Sequence, residues 1–240
     1  MKKGLLSFLI LAVVSAILTG CAYPQDKLAQ NQIPYEDQVN AVQSAVDKFQ
    51  KDKGGILPIK TNENDTPIYQ KYLIDFKKLV PEYMAEAPGN AFESGGIFQY
   101  VLIDVETDPT VKIFDLRLAE TIRDINLRIN MQKYPPYKEQ LADNVFSLDF
   151  EKLGYKEEPA VMSPFTNQDL SFVVTGNAEV YVDYRKDLYQ ILQNSESSFE
   201  PNEDLRNVLH KDSLFVPVYS LPYSFDTESN EIIFVTDQSK

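Results

Sequence analysis

Apolar residues recur along this chain in three spacings, and each predicts a different element. The first is a largely apolar run from Leu5 to Leu18, preceded by Lys2 and Lys3 and followed by Thr19-Gly20-Cys21. It falls short of the roughly 20 apolar residues that span a bilayer. A positive start, an apolar middle and small residues at the end have the layout of an export signal. The second spacing is helical. Val39, Val42, Val46 and Phe49 predict a helix over Tyr35–Asp52, stopped by Gly54-Gly55. Leu118, Ile122, Ile125 and Ile129 predict another over Leu116–Gln132, ended by Tyr134-Pro135-Pro136-Tyr137. A third helix is expected from about Asn202, with His210 near its end. The last spacing is the β-rich run. Ile97–Val105 predicts a strand that returns over Val111–Phe114, and Leu170–Val174 one that turns at Gly176-Asn177 and returns over Glu179–Tyr184.

The order of these elements repeats. Ile74-Asp75-Phe76-Lys77-Lys78-Leu79 is echoed by Leu148-Asp149-Phe150-Glu151-Lys152-Leu153, and Asp115-Leu116-Arg117 by Asp183-Tyr184-Arg185. A third, partial echo sets Leu221-Pro222-Tyr223 against Ser163-Pro164-Phe165, and Ile232–Val235 against Ser171–Val174. The chain therefore reads as units of roughly 60–75 residues, each a helix, a loop, a short capped helix and an antiparallel hairpin. The fold class expected is α+β, in two related units with a partial third. The divisions are an export signal over 1–20, a Gln-rich, Pro-bounded tether over 21–34, a first unit over 35–117 and a second over 118–185. Residues 186–240 form the partial third unit, or an extension packed on the second.

Charge narrows the function. Lysine and arginine total 23 against 36 acidic residues, for a net charge of −13. So acidic a chain lacks the basic face that nucleic acid requires, and it is held away from an anionic lipid surface. Cys21 is the one cysteine and His210 the one histidine. No His-cluster metal site is therefore expected, and Ser-His-Asp chemistry is disfavoured. No cofactor is expected: the pairs Gly54-Gly55 and Gly95-Gly96 match no phosphate-binding pattern.

The candidate sites are few, and each has a structural reading beside the functional one. Asp115/Arg117 and Asp183/Arg185 stand between a strand and a helix, where aspartate caps the first turn. Asp75 and Asp149 are expected to cap in the same way. Asp104 and Glu106 share one face of a predicted strand by its period of two, and paired carboxylates suit acid–base work only when their pKa values are driven apart. The loop Thr61–Thr66 is rich in side-chain oxygens but lacks the spacing and glycine of a calcium loop. Tyr134 and Tyr137, and Tyr219 and Tyr223, flank prolines and are the candidate aromatic binding surface. His210, near a helix end, suits a cation that complements the helix dipole.

Leu18-Thr19-Gly20-Cys21 resembles the lipobox of bacterial lipoproteins. That resemblance implies cleavage between Gly20 and Cys21, and lipid on the thiol of Cys21, the new N-terminus. The lipobox, the acidic body and the segments Gly54–Lys78 and Gly95–Arg117 together resemble the YphF-like group of bacillus-type membrane lipoproteins. The likeness implies a lipoprotein with no activity to carry over, and it transfers no site beyond Cys21. A weaker likeness is to the pseudopilin layout of helix, Gly/Pro loop and antiparallel strands. This chain departs from it where the apolar run ends in a cleavable lipobox instead of continuing into the helix.

The function expected is that of a non-catalytic interaction or structural lipoprotein. It would be tethered through Cys21 to the outer face of the cell membrane, with an envelope protein as partner. The alternative is a small solute-binding lipoprotein, and an envelope enzyme comes third.

Overall fold

The computed structural model describes residues 35–193, 203–227 and 229–236. The expected export signal, the expected tether and the Gly20-Cys21 junction lie outside the described residues. The protein is α+β, with every paired strand antiparallel.

The first unit opens with α1 (Tyr35–Asp52), whose Val39, Val42, Ala45, Val46 and Phe49 are buried on one face. Gly54 and Gly55 follow with φ of 66° and 94°, a left-handed pair that reverses the chain. Next come α2 (Ile68–Lys71) and α3 (Phe76–Leu79), then a 3-10 turn (Phe92–Ser94), then the hairpin of β1 (Phe98–Ile103) and β2 (Thr110–Asp115). All six residues of β1 are buried. Phe98, Tyr100 and Leu102 join the core under α1, whereas Val101 and Ile103 join the larger core of the rest of the chain. A strand covered on both faces reads as a continuous apolar run, and this is why its signal was so strong.

The second unit runs from α4 (Leu116–Gln132) through β3 (Tyr137–Ala142), β4 (Val145–Leu148), β5 (Val161–Met162), β6 (Asp169–Thr175) and β7 (Val180–Asp183). β6 pairs with β4, β5 and β7. The two units share their hydrogen-bond plan. The Asp75 N–H donates to Pro58 O at 2.7 Å, and the Asp149 N–H to Pro136 O at 2.9 Å. Leu73 bridges Val101 ahead of the first hairpin, and Ser147 pairs with Val173 ahead of the second. Ile59 faces Ile74 as Tyr137 faces Leu148. What are isolated bridges in the first unit have grown into full strands, β3 and β4, in the second.

Three expectations need correction here. Asp75 caps a helix, accepting from the Lys77 N–H at 3.2 Å. Asp149 accepts from the Lys152 N–H at 3.2 Å, but the backbone that follows is a series of turns, so no short helix forms. Asp104 does not share a strand face with Glu106. β1 ends at Ile103, and Asp104 adopts φ 52° to start the turn. The helix near His210 begins only at Arg206.

The third segment differs from the first two in its described elements. It contains α5 (Arg185–Gln193), α6 (Arg206–Lys211) and the hairpin of β8 (Tyr223–Asp226) and β9 (Glu231–Phe234). Its work is to join the first two. The Ile113 N–H donates to Leu214 O at 2.9 Å, the Val216 N–H donates to Ile113 O at 3.1 Å, and the Val182 N–H donates to Tyr219 O at 2.8 Å. Residues 214–219 thus satisfy the outer edge of β2 and then of β7. Lys112 Nζ, donating to the carbonyls of His210 and Ser213, fixes the entry to this segment.

Candidate functional site

Gln99 interrupts the apolar run of β1. It lies opposite Phe114 of β2 and is only 6% exposed, yet its Nε2 has no hydrogen-bond partner. A buried donor left unsatisfied costs about 1–3 kcal/mol, so each such group calls for a physical account. Nε2 itself is sealed from solvent, and the structure offers it no acceptor. Gln99 borders a cleft of about 610 Å³ walled by Thr61, Asn62, Glu63, Thr66, Gln70, Leu73, Phe114, Leu116 and Tyr219.

Each wall is held by identifiable contacts. Asn62 Nδ2 donates to Gln70 O at 3.0 Å and to Lys71 O at 2.9 Å, pinning the 61–66 loop against α2. Lys71 Nζ donates to Asn64 O at 3.1 Å from the same helix. Leu73 is fixed by its bridge to Val101. Tyr219 adopts φ 57° where the third segment crosses to β7, and its ring meets Phe114 edge-on at 6.4 Å. Burial pushes the Tyr219 phenol above its ordinary pKa, so it stays protonated at neutral pH. Glu63 is the single carboxylate of the lining, and no cation lines it. The cleft therefore presents amides and hydroxyls along one side and Leu73, Phe114, Leu116 and Tyr219 along another. Such a surface can hold a ligand.

The Asp-x-Arg pairs elsewhere are each engaged internally. Asp115 accepts from the Arg117 N–H at 2.8 Å, and Asp183 from the Arg185 N–H at 3.0 Å. In both, the guanidinium folds back on the same carboxylate. Asp204 and Arg206 repeat the arrangement, with N–H to Oδ1 at 3.0 Å. Sequence reading missed this third copy, although Asp204-Leu205-Arg206 spells the same triplet as Asp115-Leu116-Arg117. A larger depression, about 850 Å³, lies beside α3, but Lys60 on its rim is already paired with Glu93 at 2.7 Å.

Two further buried ionisable groups are kept uncharged, or are pushed that way. Asp187, fully buried in α5, accepts from the Thr166 hydroxyl through Oδ1, while its Oδ2 has no partner. Desolvation raises its pKa. His210 is not the helix-end cation expected of it. Burial, and then the nearby Lys112 charge, push its pKa down, and its ring meets Tyr69 edge-on at 5.6 Å.

The four candidate tyrosines do not form one surface. Tyr134 is 66% exposed and Tyr137 41%. Tyr137 lies on Phe146 at 4.7 Å, and its hydroxyl donates to Gly176 O at 3.3 Å. Tyr219 lines the cleft. Tyr223 is the correction: it is fully buried, its hydroxyl accepting from the Tyr184 N–H at 2.9 Å and donating to Val182 O at 3.1 Å. Its phenol bridges the end of β7 to β8, a core position with no access for a ligand. Gln99 was missed altogether. The signal available was one amide inside an otherwise apolar strand.

Fold and site together define an α+β protein of hairpin-bearing units, the first of which supplies most of a cleft with one carboxylate, Glu63, and no cation in its lining. Residues 35–115 match the YphF family N-terminal domain, and this first unit is a domain of that family. The match runs from the first residue of α1 to the last of β2. It takes in Gln99 and most of the cleft, leaving Leu116 and Tyr219 beyond its end. No curated protein and no solved structure matches the chain. Among the described residues no helix is long and apolar enough to cross a membrane, and no group of acidic, histidine or cysteine side chains is arranged to hold a metal.

Proposed function

We propose that this protein is a non-catalytic, lipid-tethered binding module, carried through Cys21 on the extracytoplasmic face of the cell membrane. The observation that carries the binding role is the open cleft of about 610 Å³ in the unit that matches the YphF domain, with amides and hydroxyls on one side and Leu73, Leu116 and Tyr219 on another. This favours capture of a small ligand over the purely structural role expected first. The non-catalytic part is supported by the cleft lining, in which Glu63 is the single charged group. The tether is supported by Leu18-Thr19-Gly20-Cys21 at the end of the apolar run.

A second reading, docking of an envelope protein, is favoured by one feature. Leu127, Met131 and Tyr134 stand exposed at helical spacing along and just past α4. Solvent-facing apolar side chains grouped in this way mark interaction surfaces more often than singly scattered ones do.

Fractionation tests the tether. Multiple acyl chains anchor stably where one does not, so the wild-type protein should stay with membranes through a high-salt wash. Cys21→Ser should appear as an uncleaved or released form. A membrane form carrying an unmodified Cys21 contradicts the reading.

A further inference from the structure

The accessible side chains that the cleft leaves without partners are acceptors. Asn62 commits its Nδ2 to the carbonyls of Gln70 and Lys71, which leaves Oδ1 as the free end of the amide. Glu63, exposed on the same loop, has no ion-pair partner among the described residues. The Tyr219 hydroxyl has no hydrogen-bond partner there either, and it is not sealed from solvent. A carboxylate only accepts, as does an amide oxygen, and a phenol can. An occupant of this wall therefore has to bring donors.

Charge points the same way. Glu63 is the single charged group of the lining. The cations near it in the chain are already engaged, Lys60 by Glu93 and Lys71 by the Asn64 carbonyl, and Arg117 beside the lining Leu116 is held by Asp115. Asp65 stands in the same loop, and the chain carries a net charge of −13. Such a field gathers small cations and repels anions. A calcium ion does not fit, because it takes about six to eight oxygen ligands and no acidic group among the described residues is arranged for one. A quaternary ammonium prefers an aromatic cage, whereas Tyr219 is the one partly exposed ring of the lining and Phe114 is buried. A primary ammonium does fit. It carries three donors, one for Glu63 and the others for the oxygens around it. Leu73, Leu116 and the Tyr219 ring, each partly buried, supply an apolar wall for the hydrocarbon behind it.

We infer that the cleft binds a primary amine on an apolar chain, its ammonium paired with Glu63 and its hydrocarbon laid against Leu73, Leu116 and Tyr219. This rests on the binding role proposed above and names its ligand class.

The full chain in non-ionic detergent is titrated with pentylamine, pentanol and pentanoate, which share a hydrocarbon chain and differ in charge. Saturation-transfer NMR and calorimetry, each against protein-free detergent, report binding. Pentylamine should bind at least tenfold more tightly than the other two, and Glu63→Gln should erase that preference. Glu63 is exposed in a loop, so this variant leaves the core intact. Thr61→Trp, at an exposed position on the cleft rim, should weaken pentylamine at least tenfold by blocking the entrance. Nα-acetyl-lysine methylamide separates two sources of the same ammonium: binding equal to that of pentylamine assigns a lysine side chain of a partner, and weaker binding assigns a free amine. The inference is overturned if pentylamine does not bind, if pentanol or pentanoate matches it, or if Glu63→Gln binds it unchanged. A cleft that takes pentanol or pentanoate and loses it in Thr61→Trp removes the amine alone. Pentylamine binding that survives Thr61→Trp removes the binding role of the cleft as well.

Discussion

Replacing Asp183 by alanine should cost more than replacing Asp115, and the structure gives the reason. Asp183 ends β7 and caps α5, accepting from the Arg185 N–H at 3.0 Å. Its Oδ2 also takes Arg185 Nη2 at 2.7 Å, and the guanidinium lies over the Phe234 ring at 4.3 Å. The carboxylate therefore holds the second unit to the final hairpin. A lost cap costs about 1 kcal/mol. Breaking a buried ion pair by deleting one partner costs about 3–5 kcal/mol. The Arg185 side chain is 25% exposed and keeps part of its hydration, so about 2 kcal/mol is the expected share here. The sum is about 3 kcal/mol, and at about 2–4 °C per kcal/mol for a chain of this size the thermal midpoint should fall by about 6–12 °C.

Asp115→Ala is the internal control. It removes the same cap and the same fold-back pair, but the Arg117 side chain is 56% exposed and stays solvated when stranded. Exposed pairs contribute about 0–1 kcal/mol, so the total should be about 1.5 kcal/mol. Urea unfolding followed by far-UV circular dichroism, with the slope checked for constancy, compares the two. If Asp183→Ala loses no more than Asp115→Ala, burial of Arg185 is not what sets the cost, and the reasoning fails.

Two other changes are informative. Asp75→Ala should lose about 1 kcal/mol in the same unfolding assay, the ordinary worth of a cap; Asp149→Ala, which caps only a turn, should lose less. Asp187→Asn tests the buried carboxyl. Desolvation raises its folded pKa above the reference 3.8, so Asp187 contributes stability below that reference value and loses it as pH rises through the folded pKa. The amide has no such loss, so the stability of Asp187→Asn relative to wild type should climb as the pH is raised above 3.8. A flat difference across that range would show that Asp187 does not titrate as its burial requires.

Local signals were legible in the sequence and tertiary ones were not. The helices Tyr35–Asp52 and Leu116–Gln132 fell at the predicted residues because their apolar faces are regular and their ends carry Gly-Gly and Pro-Pro. The hairpins were equally plain, since β1 and β6 carry dense apolar runs. The echo of Asp75 in Asp149 marked a shared hydrogen-bond plan, the Asp N–H donating to a proline carbonyl in both units. Yet it concealed the difference between a helix and a turn, which a few residues decide. Tyr223 looked like a surface aromatic because proline neighbours are common in loops. Its burial depends on Tyr184 and Val182 arriving from far along the chain. Gln99 was invisible for the same reason. Its meaning comes from the 61–66 loop and Tyr219, which only the fold brings to the same cleft.

The central claim, that the cleft of the first unit is where this protein binds its ligand, is tested most directly by amide shift mapping. A 15N-labelled full chain in detergent is titrated with a panel of neutral, anionic and cationic small-molecule probes. The account predicts that the shifts concentrate on residues 61–70, on the Gln99 side-chain amide and on Tyr219. Shifts confined to Leu127, Met131 and Tyr134, or no shifts at all, would contradict it.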